Sequence, residues 1–363
     1  MFEIIFLVFI CGYFIQSVLF IIGINKKFPR IKDENLPAAT VIVAVRNEEK
    51  NIERCLNALD KLIYPEGKLE IIISDGHSTD STVEIVNQFI RNKSRFKIIS
   101  ANAEKENLKG KANAIDSAVR ISTGEIILTT DADCEVHPLW AKTICSYYKV
   151  DVAIVNGFTT QTAYNGFSGM QAIDFVYLLI VAAGTINLGH PISCIGNNMS
   201  YRKKAYLETG GYEKLPFSVT EDFNLLIAIY RLEKYKIIYP LDKNALITSL
   251  PCTSLNELYH QKKRWGVGGL GVPLRGFVIL SFGFFANLCV LLTPLFFTVV
   301  CLYLTIFKIA IDYFVLFPVH SRLGIKQNLK YFIQFEIYFV IYVFILPLIV
   351  VSSRKVVWKG KEY

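Results

Sequence analysis

Asp131-Ala132-Asp133 places two carboxylates at alternate positions directly after the apolar run Ile126-Ile127-Leu128. Two carboxylates at a strand end can grip a divalent cation, which in turn holds a diphosphate. Read alone, the same residues are equally a solvated loop with a helix-capping Asp. Glu221-Asp222 follows Ser218 and Thr220 at the head of a helical run carrying Phe223, Leu226, Ile227 and Tyr230. Acids in a first turn favour the helix dipole, and Ser218 with Glu221 matches a capping box. The chemical alternative makes Asp222 a general base that takes the proton from an acceptor hydroxyl. A helix N-terminus weakens such a base unless burial or a neighbouring carboxylate offsets it. Gln261-Lys262-Lys263-Arg264-Trp265 closes a helix that Ser254 and Glu257 can start as a second capping box. Gln261, Arg264 and Trp265 share one face of it. A guanidinium can bind a leaving diphosphate through two hydrogen bonds, and an indole can stack on a sugar ring. The other reading of this piece is a basic juxtamembrane helix with an interfacial Trp. Three such clusters in this order, ahead of a hydrophobic block, rarely coincide by accident.

The elements that must position these groups follow from hydrophobic patterning. From Ala39 onward, short β-branched runs alternate with helical stretches: strands at 39–45, 70–74, 96–100 and 125–130, helices from Ile52 through Leu59, at 80–92 and at 111–122. Asn47 is placed to cap the first of these helices. Such alternation predicts a mostly parallel α/β sheet covered by helices, with ligands beyond the carboxyl ends of its strands, where Asp75 and Asp131 fall.

Composition sets the outer frame. The 363 residues are 52% apolar and 19% charged, with mean hydropathy +0.37, which suits a globular domain with attached membrane segments. Lys and Arg number 39 against 31 acids, and several flank the apolar stretches, where anionic headgroups would meet them. No basic stripe interleaved with aromatics calls for nucleic acid. The eight cysteines show no CxxC and no zinc-like spacing, and read as small buried hydrophobes in a reducing compartment.

Residues 2–24 are long and apolar enough for one retained anchor, and the Lys26-Lys27-Phe28-Pro29-Arg30 cluster after it places the chain from residue 26 onward in the cytoplasm. The division predicted is an anchor at 1–25, a cytoplasmic α/β domain at 38–270, transmembrane or interfacial helices at 276–351 and a basic tail at 352–363. The block 276–318 is long enough for two spans broken near Pro294, and 331–351 for one. Basic residues at 321–330 and 354–361 both ask for the cytoplasm, which a single span between them cannot satisfy. One resolution lays an apolar piece in the interface, with Lys308 and Asp312 facing water. The apolar stretch 170–189 is expected as a buried or membrane-facing helix of the α/β domain, since a span there would separate Asp133 from Asp222. A transporter is disfavoured because no apolar run is expected to carry paired ionisable residues.

The chain resembles the membrane-integrated family 2 glycosyltransferases: cellulose, hyaluronan and poly-N-acetylglucosamine synthases and ceramide glucosyltransferase. Residues 43–49 (VAVRNEE) are similar to the family's opening strand and turn, which puts Val45, Asn47 and Glu48 beside the nucleotide. Residues 73–80 (ISDGHSTD) resemble the next motif, where Asp75 would contact base and ribose; the family usually shows two acids there, and this chain has Ser74-Asp75. Gly110-Lys111-Ala112-Asn113-Ala114 resembles the stretch whose Lys approaches the phosphates. Asp131 and Asp133 match the Asp-x-Asp pair, with Asp133 on Mg²⁺ or Mn²⁺. Residues 196–202 (GNNMSYR) with Gly210-Gly211-Tyr212 resemble the segment shaping the donor-sugar and acceptor pocket. Asp222 matches the catalytic base, Arg264 a donor-binding residue, and Glu221, Gln261 and Trp265 the acceptor or glycan side.

The resemblance implies a GT-A type fold with membrane helices at both ends. It also implies a multi-pass protein of the cell (inner) membrane and inverting transfer from a UDP-sugar by a single displacement. The acceptor class it implies is a lipid, a lipid-linked glycan or a polysaccharide. About four apolar segments are few for an export channel, so a polymerase reading depends on a homo-oligomer or an export partner. A catalytically idle nucleotide-binding scaffold is the alternative from another class.

Overall fold

The computed structural model describes residues 1–358, 361 and 362. In chain order the helix α1 (Phe2–Ile24) precedes β1 (Ala39–Val45), α2 (Ile52–Asp60), β2 (Leu69–Asp75), α3 (Thr82–Ile90), β3 (Phe96–Ser100), α4 (Gly110–Ile121) and β4 (Ile126–Asp131). Next come β5 (Glu135–Val136), α5 (Trp140–Ser146), β6 (Val152–Asn156), β7 (Thr159–Gln161), α6 (Gly166–Asn187), β8 (Met199–Arg202), α7 (Lys203–Glu208) and α8 (Gly211–Lys214). The remainder is α9 (Glu221–Tyr230), β9 (Lys236–Ile238), β10 (Ile247–Ser249), α10 (Leu255–Gly268), α11 (Leu274–Leu292), α12 (Val299–Leu323) and α13 (Phe332–Ser352). Of the expected basic tail, residues 359, 360 and 363 lie outside the described residues.

These elements form two compact units: Lys26–Thr160 with Cys194–Leu250, and Met1–Asn25 with Gln161–Ser193 and Pro251–Tyr363. The first holds a seven-stranded sheet in the order β3-β2-β1-β4-β8-β6-β9. Strands β1 to β4 run parallel and β8 lies antiparallel to both β4 and β6. The sequence Ala-Thr-Val-Ile-Val-Ala-Val of β1 is buried almost throughout, as a central parallel strand covered on both faces must be. Ile52, Cys55, Leu56 and Leu59 of α2 and Trp140 and Ile144 of α5 join the core against this sheet. The predicted strands and helices of this region are all present within a residue or two. The capping reading of Asn47 is not: α2 starts at Ile52, and Asn47 instead takes the left-handed conformation (φ 53°) that Asn tolerates better than most residues.

The second unit is helical. Among the described residues, five segments are long and apolar enough to cross a membrane: α1, α6, α11, α12 and 326–352 with α13. The expected break near Pro294 is there, between α11 and α12. Helix α6 departs from expectation by packing with the apolar helices rather than with the sheet, so the anticipated 38–270 domain is divided. The reason is its composition: α6 is largely apolar with no polar face, and such a helix needs neighbours all round. Gly23 and Gly184 let α1 and α6 approach until backbones touch; a Cβ on Gly23 would lie 2.2 Å from the Gly184 carbonyl oxygen.

Lys308 and Asp312 overturn the expectation of an interfacial helix with both residues facing water. Each is 0% exposed, and the Lys308 ammonium is paired with Asp312 at 2.7 Å and with Glu336 at 2.9 Å. Asp312 also accepts a hydrogen bond from the Tyr13 hydroxyl, which lies 2.5 Å from the Tyr177 hydroxyl. Four helices (α1, α6, α12, α13) therefore meet on one buried polar cluster, and α12 does carry paired ionisable residues, contrary to expectation. Helix ends are matched as well. Asn25, just after α1, accepts from Arg322 near the end of α12 at 2.6 Å, while Phe2 stacks on Phe296 at the opposite end, 4.7 Å between ring centres.

Candidate active site

Strand β1 is where the sheet order reverses, with β2 on one side and β4 on the other. The register sets Val45 beside Asp75 and Ala44 beside Asp131, so both acids stand at the carboxyl ends flanking β1. This switch point is the usual ligand crevice of an open α/β sheet. Two loops line it and are tied together. The Asn47 amide N–H donates to Ser78 Oγ at 3.0 Å, and Asn47 Oδ1 accepts from the Thr79 N–H at 2.8 Å. Thr82 Oγ1 accepts the Glu48 N–H. Asp75 accepts the Ser78 N–H with both oxygens, at 3.1 and 3.2 Å, which shapes its own loop. Ser74, where a second acid is usual, turns the other way and donates to the Ala114 carbonyl of α4 at 2.7 Å.

Beyond β4 the chain turns sharply, with the Cys134 N–H on the Asp131 carbonyl, and presents Asp131 and Asp133 together. Burial first, then the charge of Asp131, pushes the Asp133 carboxyl up to about 6. Cys55 and Cys134 lie close by, and burial with the same carboxylates pushes both thiols up, so they stay protonated. Lys111, in the first turn of α4, reaches into this acidic group. Its ammonium is 2.5 Å from Asp131 Oδ1 and 3.6 Å from Glu221 Oε1. Burial pulls Lys111 down, yet Asp131, Glu221 and Asp222 together hold it above the ordinary lysine range. One cation thus joins the end of β4 to the start of α9. Asp131 and Glu221 lie on opposite sides of α6 in sequence.

Asp222 stands in the first turn of α9, where Oδ1 accepts the Phe223 N–H at 2.8 Å. The predicted Ser218–Glu221 capping box does not form. Ser218 Oγ accepts the Thr220 N–H instead, which leaves the Glu221 side chain for Lys111. Asp222 is fitted against Gly196, whose missing Cβ would lie 3.1 Å from Asp222 Oδ2. Gly196 is fixed in turn, because its carbonyl accepts from Thr129 Oγ1 of β4 at 2.7 Å. Asn198 follows in the same segment. Its amide is fully bonded inside the unit, accepting from Trp140 Nε1 and donating to the Phe158 and Ala245 carbonyls.

The donor set suits a hard divalent ion. Among the described residues no three His, Cys, Asp or Glu are placed to hold one metal ion together. Two adjacent carboxylates, one with a raised pKa from burial and mutual repulsion, suit a cation that keeps its other positions for phosphate and water.

Gln261, Arg264 and Trp265 lie on α10 in the helical unit. Ser254 Oγ accepts the Glu257 N–H as predicted, and the Glu257 carboxylate also accepts the Thr253 N–H. The Trp265 indole is in contact with Phe175, ring centres 5.5 Å apart. Between Gln261 and Arg264, Lys262 is buried and paired with Asp174, a contact that no motif in the sequence had marked.

The model of the glycosyl transferase family group 2 matches residues 126–351, and that of glycosyl transferase family 2 matches 40–210. A beta-monoglucosyldiacylglycerol synthase of Nostoc sp. is 27% identical over 246 residues, which cover 65% of this chain and 49% of that protein. A poly-beta-1,6-N-acetyl-D-glucosamine synthase of Staphylococcus epidermidis is 25% identical over 279 residues, covering 74% of this chain and 65% of that one. The chain thus spans about half to two thirds of the length of these relatives. Among solved structures, a mannosyltransferase from Pyrobaculum calidifontis in complex with GDP-Man and Mn²⁺ superposes with a TM-score of 0.59 at 18% identity. The match covers 94% of this chain and 99% of that one, and is a likeness of fold.

Proposed function

Because the chain belongs to the family 2 glycosyltransferases, we propose that it moves a sugar from a UDP-sugar to a lipid or lipid-linked acceptor at a membrane, inverting the anomeric centre. The observation that carries this reading is the Lys111-bridged group of Asp131, Glu221 and Asp222 at the switch point. Asp222 takes the acceptor hydroxyl proton, the acceptor oxygen bonds to the anomeric carbon, and the bond from that carbon to the diphosphate oxygen breaks. Val45, Asn47, Glu48 and Asp75 line the nucleoside, and Lys111 turns from Asp131 toward the phosphates when they arrive. The family resemblance gives Arg264 the departing diphosphate, and Glu221, Gln261 and Trp265 the acceptor. Asp133, with Asp131 beside it, would hold Mg²⁺ or Mn²⁺, which would supply positive charge where the leaving group gains negative charge.

The test is nucleotide release by the purified full chain in detergent, across UDP- and GDP-sugars with lipid extract as acceptor. Failure to bind or turn over any nucleotide-sugar would sink the proposal. The size of a positive product separates single addition from polymer synthesis, the reading that the poly-N-acetylglucosamine synthase relative favours. We read α6 as not crossing, because Asp131 and Glu221, on either side of it in sequence, meet on Lys111; the four other candidate spans are few for an export channel, which supports single addition.

Two further results are expected. Asp133 must be ionised to hold Mn²⁺, so affinity should be level above the Asp133 pKa of about 6 and fall as pH drops below it. The fall should be about tenfold per pH unit, as a single competing proton requires. Calorimetric titration checks this, and an affinity unchanged between about pH 5 and about pH 7 contradicts it. Gly196→Ala pushes a methyl against Asp222, so kcat should drop about tenfold while donor KM holds. Equal loss in both would mean that the loop serves nucleotide binding instead.

The matched helix ends also imply a topology in which Lys26 and the basic run 321–330 share the cytoplasmic side. A single cysteine placed at Gly324 of a cysteine-free chain should then resist a membrane-impermeant reagent in intact cells. Ready labelling there would reverse the assignment.

A further inference from the structure

Lys262 occupies one of the two unassigned positions inside the Gln261–Trp265 motif, and it is the motif's buried residue. Its side chain is 6% exposed and that of Asp174, its partner on α6, is 1% exposed. The ammonium also lies 4.5 Å from the Trp265 ring centre and 4.9 Å from that of Tyr342 on α13. Phe175, next to Asp174, packs on the same indole. Helix α10 is held close to α13 as well, since a Cβ on Gly266 would lie 2.7 Å from the Val350 side chain.

Stability does not explain this arrangement. A well-packed apolar pair of similar volume is often neutral or better than a buried ion pair. What an ion pair adds is direction: a helix with a plain apolar face can turn about its axis by several degrees, whereas an ammonium bonded to a carboxylate cannot. The two aromatic rings add a second, angle-dependent restraint on the same ammonium.

We infer that Lys262 is a positioning residue for Trp265: clamped on Asp174 between the Trp265 and Tyr342 rings, it fixes the rotation of α10 and the angle at which the indole meets the acceptor. This rests on the reading of Trp265 as an acceptor contact. It adds Asp174 and Lys262 to the residues that set acceptor affinity, without contact with substrate.

The test uses the full chain in detergent, with dioleoylglycerol in mixed micelles as acceptor probe and UDP-glucose as donor probe. Lys262→Met should raise acceptor KM about tenfold or more, with donor KM within about twofold, and Lys262→Arg should recover part of the loss. A second readout needs no substrate. Subtracting the emission of Trp265→Phe isolates Trp265 from Trp140 and Trp358, and this component should change in brightness and wavelength in Lys262→Met and in Asp174→Asn. An unchanged Trp265 component, or equal losses in donor and acceptor KM, overturns the inference. Should Lys262→Met fail to fold, Lys262→Arg and Asp174→Glu keep the pair but change its length. Wild-type acceptor KM and wild-type Trp265 emission in both would also overturn it. Trp265→Ala separates the two ideas: no change in acceptor KM there removes the acceptor role of Trp265, while the emission result still decides whether Lys262 positions it.

Discussion

Asp222→Asn is expected to slow sugar transfer by about 10²–10⁴-fold, the usual contribution of a positioned general base, with nucleotide affinity unchanged. The amide matches the carboxylate in shape, so the fit against Gly196 and the hydrogen bond from the Phe223 N–H survive. What disappears is the ability to accept a proton from the incoming hydroxyl. Steady-state rates with a saturating acceptor, together with calorimetry for the nucleotide, separate these effects. Retention of more than a tenth of the activity would exclude Asp222 as the base. Glu221 would then be the next carboxylate to test, although its pairing with Lys111 leaves it less free to take a proton.

Lys308→Met is expected to destabilise the helical unit by about 3–5 kcal/mol, the cost of leaving a buried carboxylate without its partner. Asp312 and Glu336 both depend on that ammonium, and both are buried away from water. Thermal unfolding in detergent would read the change as a large drop in midpoint. The control replaces the whole set, Lys308→Met with Asp312→Leu and Glu336→Leu. Removing all charges together should restore most of the loss, since apolar substitutes can equal a buried ion cluster. A single Lys308→Met variant as stable as wild type would mean that water reaches the cluster.

The sheet was legible because parallel strands buried on both faces write themselves as continuous β-branched runs, as in Ala39–Val45. Asp75 and Asp131 were placed correctly at strand ends for the same reason. Local polar bonding was less legible, since Ser218, Asn47 and Glu257 each had more than one backbone partner within reach and sequence does not rank them. The charged residues of α12 misled because periodicity says that Lys308 and Asp312 share a face but not what that face meets. Glu336 lies 28 residues from Lys308, and Tyr13 lies 299 residues from Asp312. Lys262 was hidden similarly: beside two basic neighbours it looked like one more surface charge, and only Asp174, 88 residues earlier, reveals its burial.

The Tyr13–Asp312 contact has a consequence for the birth of the molecule. At about 5–20 residues per second, roughly 15–60 s pass on the ribosome between the synthesis of these two residues. Throughout that interval α1 waits without its polar mate, and α6 emerges long before the helices that will enclose it. Helix α12 is better provided. Its lysine and aspartate sit one turn apart, so it leaves the ribosome with a countercharge already aboard, and Glu336 has only to join a pair that exists.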